Sequence, residues 1–454
     1  MKIAILILVL VTSAAAHAGS VSVPHAFQPN TPAQSGQVNA NFQALVDAVN
    51  AQTTIISQLQ SDLAAAQAQI ANFNNNSVMA LDGVLFMDSD FNGNPVARFD
   101  SVNVQITNGL GATNGDPMAD PEDSGIVNGL GNLLIGYNED SMIALDICSN
   151  GAWDNEIDCM DNGAIWGSNQ KTGSHNLVIG LGHSYTDHGG LLAGLRNVVN
   201  RQWASVSGGE DNIANGRQSS VSGGLNNEAS GTRSSISGGQ GSIASGSESS
   251  VSGGFNNFAS SAESSVSGGS FNRASGSSSS VSGGFSNAAT GNQSSVSGGA
   301  NNEASNGSSS VSGGFNNEAS GPSSSVSGGR ESVASGLQSS ISGGVGNTAS
   351  GDQSSVSGGA DNIASGEESS VSGGTTNEAS SIQSSVSGGM QNTASGISSS
   401  VSGGLDNEAI SASSSVSGGR DNVARGVRSS VSGGQNRETP GPNDWAAGSL
   451  FETN

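Results

Sequence analysis

The sequence contains few of the residues that build ordinary globular cores and catalytic sites. Aromatic residues make up 4% of its 454 residues, charged residues 11%, and there are only two cysteines. Basic residues are the scarcest charged group, with 13 Lys and Arg against 37 Asp and Glu and a formal net charge of −24. Because there is no basic stripe, binding to nucleic acid or to an anionic membrane is disfavoured. The dispersed acidic residues favour solubility, or loose association with divalent cations.

Few aromatic residues together with 68 Gly would normally indicate disorder. The spacing argues otherwise, because a Val or Ile recurs at every fifteenth position from Val206 to Val431, sixteen times in all. Each lies in Ser-Ser-Val-Ser-Gly-Gly or a near variant, followed by Asn-x-Ala-Ser-Gly. Such a short fixed period predicts an all-β fold, a parallel β-solenoid with one coil per repeat. Catalysis needs unlike groups converging at one place, so we expect neither an enzyme nor a cofactor.

Residues 1–18 are typical of an export signal. Lys2 supplies the positive start, residues 3–11 the apolar run, and Ala16-His17-Ala18 the cleavage site after Ala18. No later segment approaches the roughly 18 apolar residues of a membrane helix. The sequence therefore predicts a secreted, extracellular or cell-surface protein that does not itself insert into a membrane.

Both cysteines, Cys148 and Cys159, lie in an irregular region between residues 75 and 190. In an oxidising compartment two cysteines at this separation favour a disulfide that closes a short loop. A metal-binding or redox pair is disfavoured, because the spacing and the neighbouring residues are wrong for either.

Two segments precede this region. Residues 19–36 contain Pro24, Pro29 and Pro32 and are expected to be extended, and residues 37–74 carry a heptad pattern. Five heptads in one register favour a coiled coil over a lone amphipathic helix. The pattern does not decide between a two-stranded and a three-stranded assembly. β-Branched residues at a with Leu at d favour two strands, but Gln52 at d and Phe42 at a do not follow that preference. The a positions are Phe42, Val49, Ile56, Leu63 and Ile70, and the d positions are Val38, Leu45, Gln52, Leu59, Ala66 and Phe73.

Residues 75–190 are expected to form a cap with early, irregular coils. Phe99, Val102, Val104 and Ile106 alternate with polar residues and predict a half-buried strand. Three segments with larger apolar side chains than the regular repeats predict the first coils, with the cysteine loop inserted between coils. These segments are residues 132–136, 176–180 and 191–194. Regular coils are expected over residues 191–438, where sixteen coils ~4.8 Å apart would extend roughly 75 Å, followed by a tail at 439–454.

Strand alternation assigns the side chains within one repeat. If Val221 points inward, Ser220 and Ser222 point outward, and a second short strand carries Ala229 inward. The expected core is therefore one Val or Ile and one Ala per coil. Burying a Val contributes roughly 1.5–3 kcal/mol, whereas ordering all the residues of one coil costs on the order of 15–30 kcal/mol in backbone entropy. A coil this thin needs another buried face, most simply against identical copies.

The turns have their own signals. Gly223 and Gly224 are expected to form one tight corner and Gly231 the next. Asn227 is expected to close the first turn by bonding to local backbone, or to stack in a ladder along the solenoid. Counted from the Val or Ile as position one, the fifth residue of several repeats is apolar and could be buried against identical copies, although Arg330 and Arg420 interrupt this line. The apolar residues at this position are Leu225, Phe255, Phe285, Phe315, Val345, Met390 and Leu405.

These phrases resemble the YadA-like head of trimeric autotransporter adhesins. The matching segments are Asn176-Leu-Val-Ile-Gly180 and the Ser-Val-Ser-Gly-Gly and Asn-x-Ala-Ser-Gly phrases, over about residues 130–438. The resemblance implies a left-handed parallel β-roll, a homotrimer, and an extracellular fibre that binds a host-cell, matrix or other surface.

Two features differ from that family. The sequence ends with Asp444 to Asn454 and without the four amphipathic strands of the family's membrane anchor, and the heptad segment precedes the repeats instead of following them. The sequence therefore favours a secreted or partner-attached relative.

Ice binding is the alternative function. Ser220 and Ser222, then Ser235 and Ser237, predict two straight outward ranks with coils ~4.8 Å apart. Some antifreeze solenoids resemble this pattern, but they usually favour Thr, whose methyl group contributes, and here both ranks are Ser.

Two local motifs contain candidate metal ligands. Asp88-x-Asp90-x-Asn92-Gly93 matches the first half of a calcium loop, but position twelve is Phe99 rather than Glu, so an ordinary turn is favoured and calcium stays open. His183 and His188 near Asp187 provide too few ligands for a convincing site. We therefore assign no metal-ligating residues.

Overall fold

The computed structural model describes residues 21–74, 81, 83–120, 125–151, 153, 155–448 and 450–452. The predicted signal peptide, including the cleavage site at Ala18, lies outside the described residues. The chain divides into two compact units, residues 1–105 and 106–454.

The first unit contains a long helix and a hairpin. Helix α1 spans Ser35–Asn74, and strand β1 (Leu85–Ser89) pairs antiparallel with β2 (Pro95–Phe99). The extended segment before α1 is anchored to it, because the Asn41 side chain donates to the His25 carbonyl and accepts from the His25 N–H at 2.6 and 2.8 Å. The helix covers the predicted heptad segment, and whether it pairs with other helices stays a prediction.

The predicted strand at residues 99–106 is wrong beyond Phe99. Phe99 ends β2 opposite Leu85, and no strand lies opposite the described residues that follow, up to Ile106. Val102, Val104 and Ile106 are 45%, 59% and 41% exposed. Their alternation with polar residues therefore describes an extended exposed segment and not a half-buried strand.

The second unit is a parallel β-solenoid of about 18 turns, with two short strands in each regular coil. The first sheet contains the serine strands, which pair in register, Ser205 with Ser220 and Ser220 with Ser235. A line of single bridges joins the fifth repeat positions, as between Leu225 and Gln240. The serine strands are Ser205–Val206, Ser220–Val221, Ser235–Ile236, Ser250–Val251, Ser265–Val266, Ser280–Val281, Ser295–Val296, Ser310–Val311, Ser325–Val326, Ser340–Ile341, Ser355–Val356, Ser370–Val371, Ser385–Val386, Ser400–Val401, Ser415–Val416 and Ser430–Val431.

The second sheet contains the alanine strands, each of which also pairs with the strand one repeat away, as between Glu228 and Ile243. The alanine strands are Ile213–Ala214, Glu228–Ala229, Ile243–Ala244, Phe258–Ala259, Arg273–Ala274, Ala288–Ala289, Glu303–Ala304, Glu318–Ala319, Val333–Ala334, Thr348–Ala349, Ile363–Ala364, Glu378–Ala379, Thr393–Ala394, Glu408–Ala409 and Val423–Ala424.

Both sheets extend toward the N-terminus into less regular coils. Leu133–Ile135, Leu177–Leu181 and Leu191–Leu195 precede the serine strands in their sheet, and Ser184–Tyr185 and Val198–Val199 precede the alanine strands. The step along the serine sheet is shorter here by one residue than in the regular coils, since Leu177 pairs with Leu191 and Leu191 with Ser205.

An insertion separates the first two of these strands. It contains helix α2 (Glu156–Asp161) and the antiparallel pair Ile147–Cys148 and Trp166–Gly167. Cys148 and Cys159 form a disulfide within it, and both are fully buried. The disulfide therefore ties α2 to the hairpin strand.

At the C-terminal end, both sheets continue past residue 438. Glu438–Thr439 extends the alanine sheet, and Trp445–Ala447 pairs in parallel with Ser430–Val431. Leu450–Glu452 then runs antiparallel to Trp445–Ala447. This reversed strand pairs with the last parallel strand of the serine sheet, whose outer backbone edge would otherwise be unpaired.

The core contains more than the expected Val and Ala. Val221 and Ala229 are buried, and so are Asn227 and Ser219, each with at most 1% of its surface exposed; Gly231 is buried as well. Ser219 lies two residues before Val221 and therefore shares its inward face. Each coil thus buries two polar side chains beside its two apolar ones.

Only one glycine of the Gly-Gly pair has a conformation that requires glycine. Gly224 has φ +96°, and a Cβ there would lie 2.2 Å from the Gly239 carbonyl oxygen. A Cβ on Gly223 would meet only a Gly208 atom 4.0 Å away. At Gly231 a Cβ would lie 1.9 Å from the Gly246 oxygen. Gly224 and Gly231 therefore permit turn geometry and close approach of coils, and a requirement for glycine at Gly223 stays a prediction.

Candidate functional surface

The outward side chains of the serine sheet form a regular surface, here called the serine face. In each regular coil the first Ser of the strand is half-buried and the Ser after the Val is exposed, as at Ser220 and Ser222. The pairing register aligns equivalent serines from coil to coil. The face therefore carries two ranks of hydroxyl groups in register, and their outward orientation agrees with the expectation from alternation.

The serine face becomes apolar in the first coils. The register places Leu133, Leu177 and Leu191 in line with the half-buried serine rank. Ile135 and Ile179, which are 54% and 36% exposed, lie in line with the outer rank. The serine face therefore carries an exposed apolar patch in the first coils and is polar along the regular coils.

The fifth repeat position forms a corner line of side chains that is partly exposed in a single chain. Phe285 and Met390 are 51% and 48% exposed. Phe271, from the adjacent repeat position, packs edge-to-face between Phe255 and Phe285, with ring centroids 5.3 and 5.7 Å apart. Burial of this line against identical copies stays a prediction.

The asparagine column is an internal hydrogen-bond ladder, in which Ser242 and Ser332 replace Asn at two positions within the column. The Asn227 side chain donates to the carbonyls of Gly223 and Gly239 at 3.1 and 3.0 Å, and it accepts from the Ser242 N–H at 3.0 Å. The first bond closes the turn of its own coil, and the other two join the next coil. Both alternatives expected for this residue therefore hold at once.

His183 takes the place of Asn in this ladder at the first coils. Its Nδ1 accepts from the Asn197 N–H at 3.1 Å, and Nε2 lies 3.1 Å from the Ile179 carbonyl oxygen. These partners require a neutral ring with the proton on Nε2. Burial lowers the pKa of His183 below its ordinary 6.5, and nearby Lys171 lowers it further, despite opposing backbone hydrogen bonds.

The other candidate metal ligands have structural contacts. His188 is buried edge-on to Trp203, and its Nδ1 lies 2.8 Å from Asp187. His183 is held by the ladder instead. Among the residues that the structure describes, no group of three or more His, Cys, Asp or Glu side chains is arranged to hold a metal.

The calcium-like motif forms the β1–β2 turn. Asp90 accepts from the backbone N–H groups of Asn92 and Asn94 at 2.9 and 2.8 Å, and from the Asn94 side chain at 2.8 Å. These bonds, with the Asn94 side chain first, hold the pKa of Asp90 below its ordinary value. Asp88 is exposed and lies 3.8 Å from Arg98. The turn accounts for Asp90 without a cation.

An ion-pair cluster joins two early coils at the corner next to the asparagine ladder. Arg196 donates from Nε and Nη2 to the two carboxylate oxygens of Asp211, both at 2.7 Å, and Nη2 also contacts Glu210. These hydrogen bonds, first of all with Asp211, raise the pKa of Arg196 above its ordinary value. A bidentate pair is the most favourable geometry for Arg and a carboxylate.

Residues 309–321 match the ubiquitous surface protein adhesin repeat. This segment covers 13 of the 15 residues of one coil, from a buried Ser through the serine strand and the Asn turn to the alanine strand. No curated protein matches the chain. Neither of the helices described by the structure is long and apolar enough to cross a membrane. The match and the repetitive solenoid together indicate an adhesin-like repeat protein of the cell surface or extracellular space.

Proposed function

We propose that this protein is a secreted, non-enzymatic fibrous adhesin whose solenoid is a YadA-like β-roll in a homotrimer. Export would follow cleavage after Ala18, and the repetitive outer face would bind a host-cell, matrix or other surface. The observation that carries the proposal is the adhesin-repeat match, because the matched pattern recurs in the regular coils of the solenoid.

The helix supports self-association. Its a-position side chains are exposed in a single chain, with Phe42, Val49, Ile56, Leu63 and Ile70 between 50% and 63% exposed. A heptad stripe of this kind is stabilised by packing into the holes of partner helices. Three helices in register would bury it and would hold three solenoids in one assembly.

The solenoid supports the same assembly. Its core is one Val or Ile and one Ala per coil, with the remaining inward positions polar or Gly. The exposed Ile135 and Ile179 and the Phe255–Phe285 corner offer apolar area that a neighbouring copy would bury. Burying that area would add to the small gain from the internal core.

Light scattering after size exclusion tests the assembly on residues 19–454. We expect three times the chain mass, and a monomer would refute the trimer. Ile56→Asp with Leu63→Asp places charges on the heptad seam and should dissociate the helices. Thr54→Asp with Ser61→Asp adds the same charge at outward heptad positions and should leave the mass unchanged.

Adhesion is tested with labelled protein on cells and on matrix-coated plates. The trimer should bind saturably, and the Ile56→Asp, Leu63→Asp variant should bind at least about a hundredfold more weakly through lost avidity. Absence of binding to every surface would contradict the adhesive role while leaving the trimer intact.

Ice binding is a second candidate function, supported by the register of the serine face. The exposed rank that contains Ser312 and Ser327 follows strands that pair in register from one coil to the next. If it binds ice, the protein should show thermal hysteresis that is lost on Ser312→Leu with Ser327→Leu. Glu318→Gln, on the other sheet, should retain it. Freezing behaviour equal to that of an inert protein would exclude this function.

A further inference from the structure

A small groove lies between the disulfide-linked insertion and the first coils of the alanine sheet. Its volume is about 210 Å³. Its walls include two indole rings, two carboxylates and two amides: Trp153, Trp166, Asp146, Glu228, Asn200 and Asn215. Drug-sized pockets usually exceed ~300 Å³, so this groove suits a single ring or a short side chain.

The insertion wall is fixed by several contacts. Trp166 lies opposite Cys148 in the antiparallel pair, and Cys148 is bonded to Cys159. The Ser149 N–H donates to the Ile165 carbonyl at 2.8 Å, and the Thr172 hydroxyl donates to the Ser149 carbonyl at 2.5 Å. The Trp166 segment is therefore attached both to the disulfide and to the solenoid.

The opposite wall comes from consecutive coils. Asn200 and Asn215 follow the strands Val198–Val199 and Ile213–Ala214, one repeat apart, and Glu228 begins the next alanine strand. Asn200 is only 4% exposed, and its Oδ1 has no hydrogen-bond partner among the described residues. The Oδ1 of Asn215 likewise has none within the described part of the chain.

Buried acceptors without donors are uncommon and unfavourable. The Glu228 carboxylate already accepts from the Asn215 side chain at 3.5 Å. A ligand with several donors would pair with the remaining carboxylate oxygens, and with the two amide oxygens once their side chains turn toward the groove. The indoles are complementary to a flat apolar face. A sugar ring has both features, with hydroxyl groups around its edge and C–H groups on its face.

The charge of the groove further restricts the class of ligand that it can bind. None of the described residues that line the groove is basic, and the two carboxylates would repel an acidic sugar. A cationic ammonium could also lie on the indoles. A quaternary ammonium has no N–H to donate, however, and would leave the Oδ1 atoms of Asn200 and Asn215 without a donor.

We propose that this groove binds one neutral sugar residue of a glycan. Its described lining residues come from the insertion and from the alanine-sheet coils, and none of them belongs to the serine face. It would give the protein a chemically specific contact besides its repetitive surface.

The full chain, as exported, is titrated with glucose, galactose, mannose and N-acetylglucosamine, and with choline as the cationic comparison. Indole fluorescence and saturation-transfer NMR report binding. We expect at least one neutral sugar to bind with an affinity that does not change with ionic strength, because no charge pairing is involved.

Trp153→Ala and Trp166→Ala should each weaken that binding by roughly tenfold or more. Trp445→Phe is the matched control, since Trp445 lies at the other end of the solenoid, where its indole N–H donates to Ser432 at 2.8 Å. Trp166→Phe keeps an aromatic ring and should retain binding in part, and circular dichroism confirms that each variant is folded.

Three results would overturn the proposal. The first is that none of the four sugars binds the wild-type chain. The second is salt-sensitive binding of choline alone, which would assign the groove to a cation. The third is sugar binding that survives Trp153→Ala combined with Trp166→Ala, which would place the site elsewhere.

Discussion

Replacing Asn317 by Ala removes three side-chain hydrogen bonds from one coil without touching its apolar core. The Asn317 side chain donates to the carbonyls of Gly313 and Gly329 at 2.9 and 3.0 Å, and it accepts from the Ser332 N–H at 3.1 Å. The first bond closes the turn of the coil, and the other two join it to the next coil.

At a net value of about 1 kcal/mol for each hydrogen bond, the substitution should cost about 3 kcal/mol. The cost is local, because each coil contacts only its neighbours. It should therefore appear as easier opening of this coil, with amide exchange there accelerated by roughly a hundredfold.

Native-state hydrogen exchange, followed by mass spectrometry, measures this directly. Asn316→Gly is the control, since Asn316 is exposed and already has φ +54°, a conformation that suits Gly. The reciprocal variant is Ser332→Asn, which supplies the missing rung and should slow exchange in its own coil.

The ladder reasoning fails if Asn317→Ala and Asn316→Gly exchange at the same rate around residues 313–332. It also fails if Ser332→Asn accelerates exchange, because an added rung should fit the site that its neighbours define.

Three further predictions follow from the turns, the ladder and the insertion. Gly314→Ala should lower the thermal midpoint and Gly313→Ala should not, because at φ +91° a Cβ on Gly314 would lie 2.2 Å from the Gly329 oxygen, whereas one on Gly313 meets no atom within 4 Å; equal midpoints would contradict this. The His183 coil should lose stability as the pH falls below about 6.5, since the unfolded ring then binds a proton that the folded ring, with its lowered pKa, excludes. The loss should level off below the folded pKa, and His183→Asn should remove this pH dependence of exchange. Replacing both Cys148 and Cys159 by Ala should destabilise the insertion by about 3 kcal/mol through lost loop closure, detected as faster proteolysis there with unchanged exchange in the regular coils.

Strand alternation predicted the inward Val221 and Ala229 correctly, because two apolar residues at fixed repeat positions leave little choice. It did not show that one serine of each repeat is buried in the core while the others lie on the surface. Ser219 lies two residues before Val221, so the same rule places it inward, but a hydroxyl side chain is not expected in a core. Alternation alone was misleading at Val102–Ile106, where no second strand among the described residues pairs with this segment.

The less regular features depend on contacts that a fixed period does not contain. His183 precedes Asn197 by one residue less than a full repeat, so a search at the strict period misses its place in the ladder. The groove combines Trp153 and Trp166 of the insertion with Asn200 and Asn215 of the coils. Nothing in their spacing predicts that they meet, because the insertion folds back onto coils that follow it.

The strict repeat step has a consequence for how such a protein can change over generations. Deleting residues 312–326 joins Val311 to Ser327, and the junction again gives Val-Ser-Gly-Gly with every ladder contact replaced by an equivalent one. Duplication of the same segment is equally neutral to the fold. Recombination between repeats can therefore shorten or lengthen the solenoid in increments of ~4.8 Å, while the insertion and the reversed terminal strand keep their own neighbours. The length of the solenoid is therefore a heritable property that can change without a change of fold.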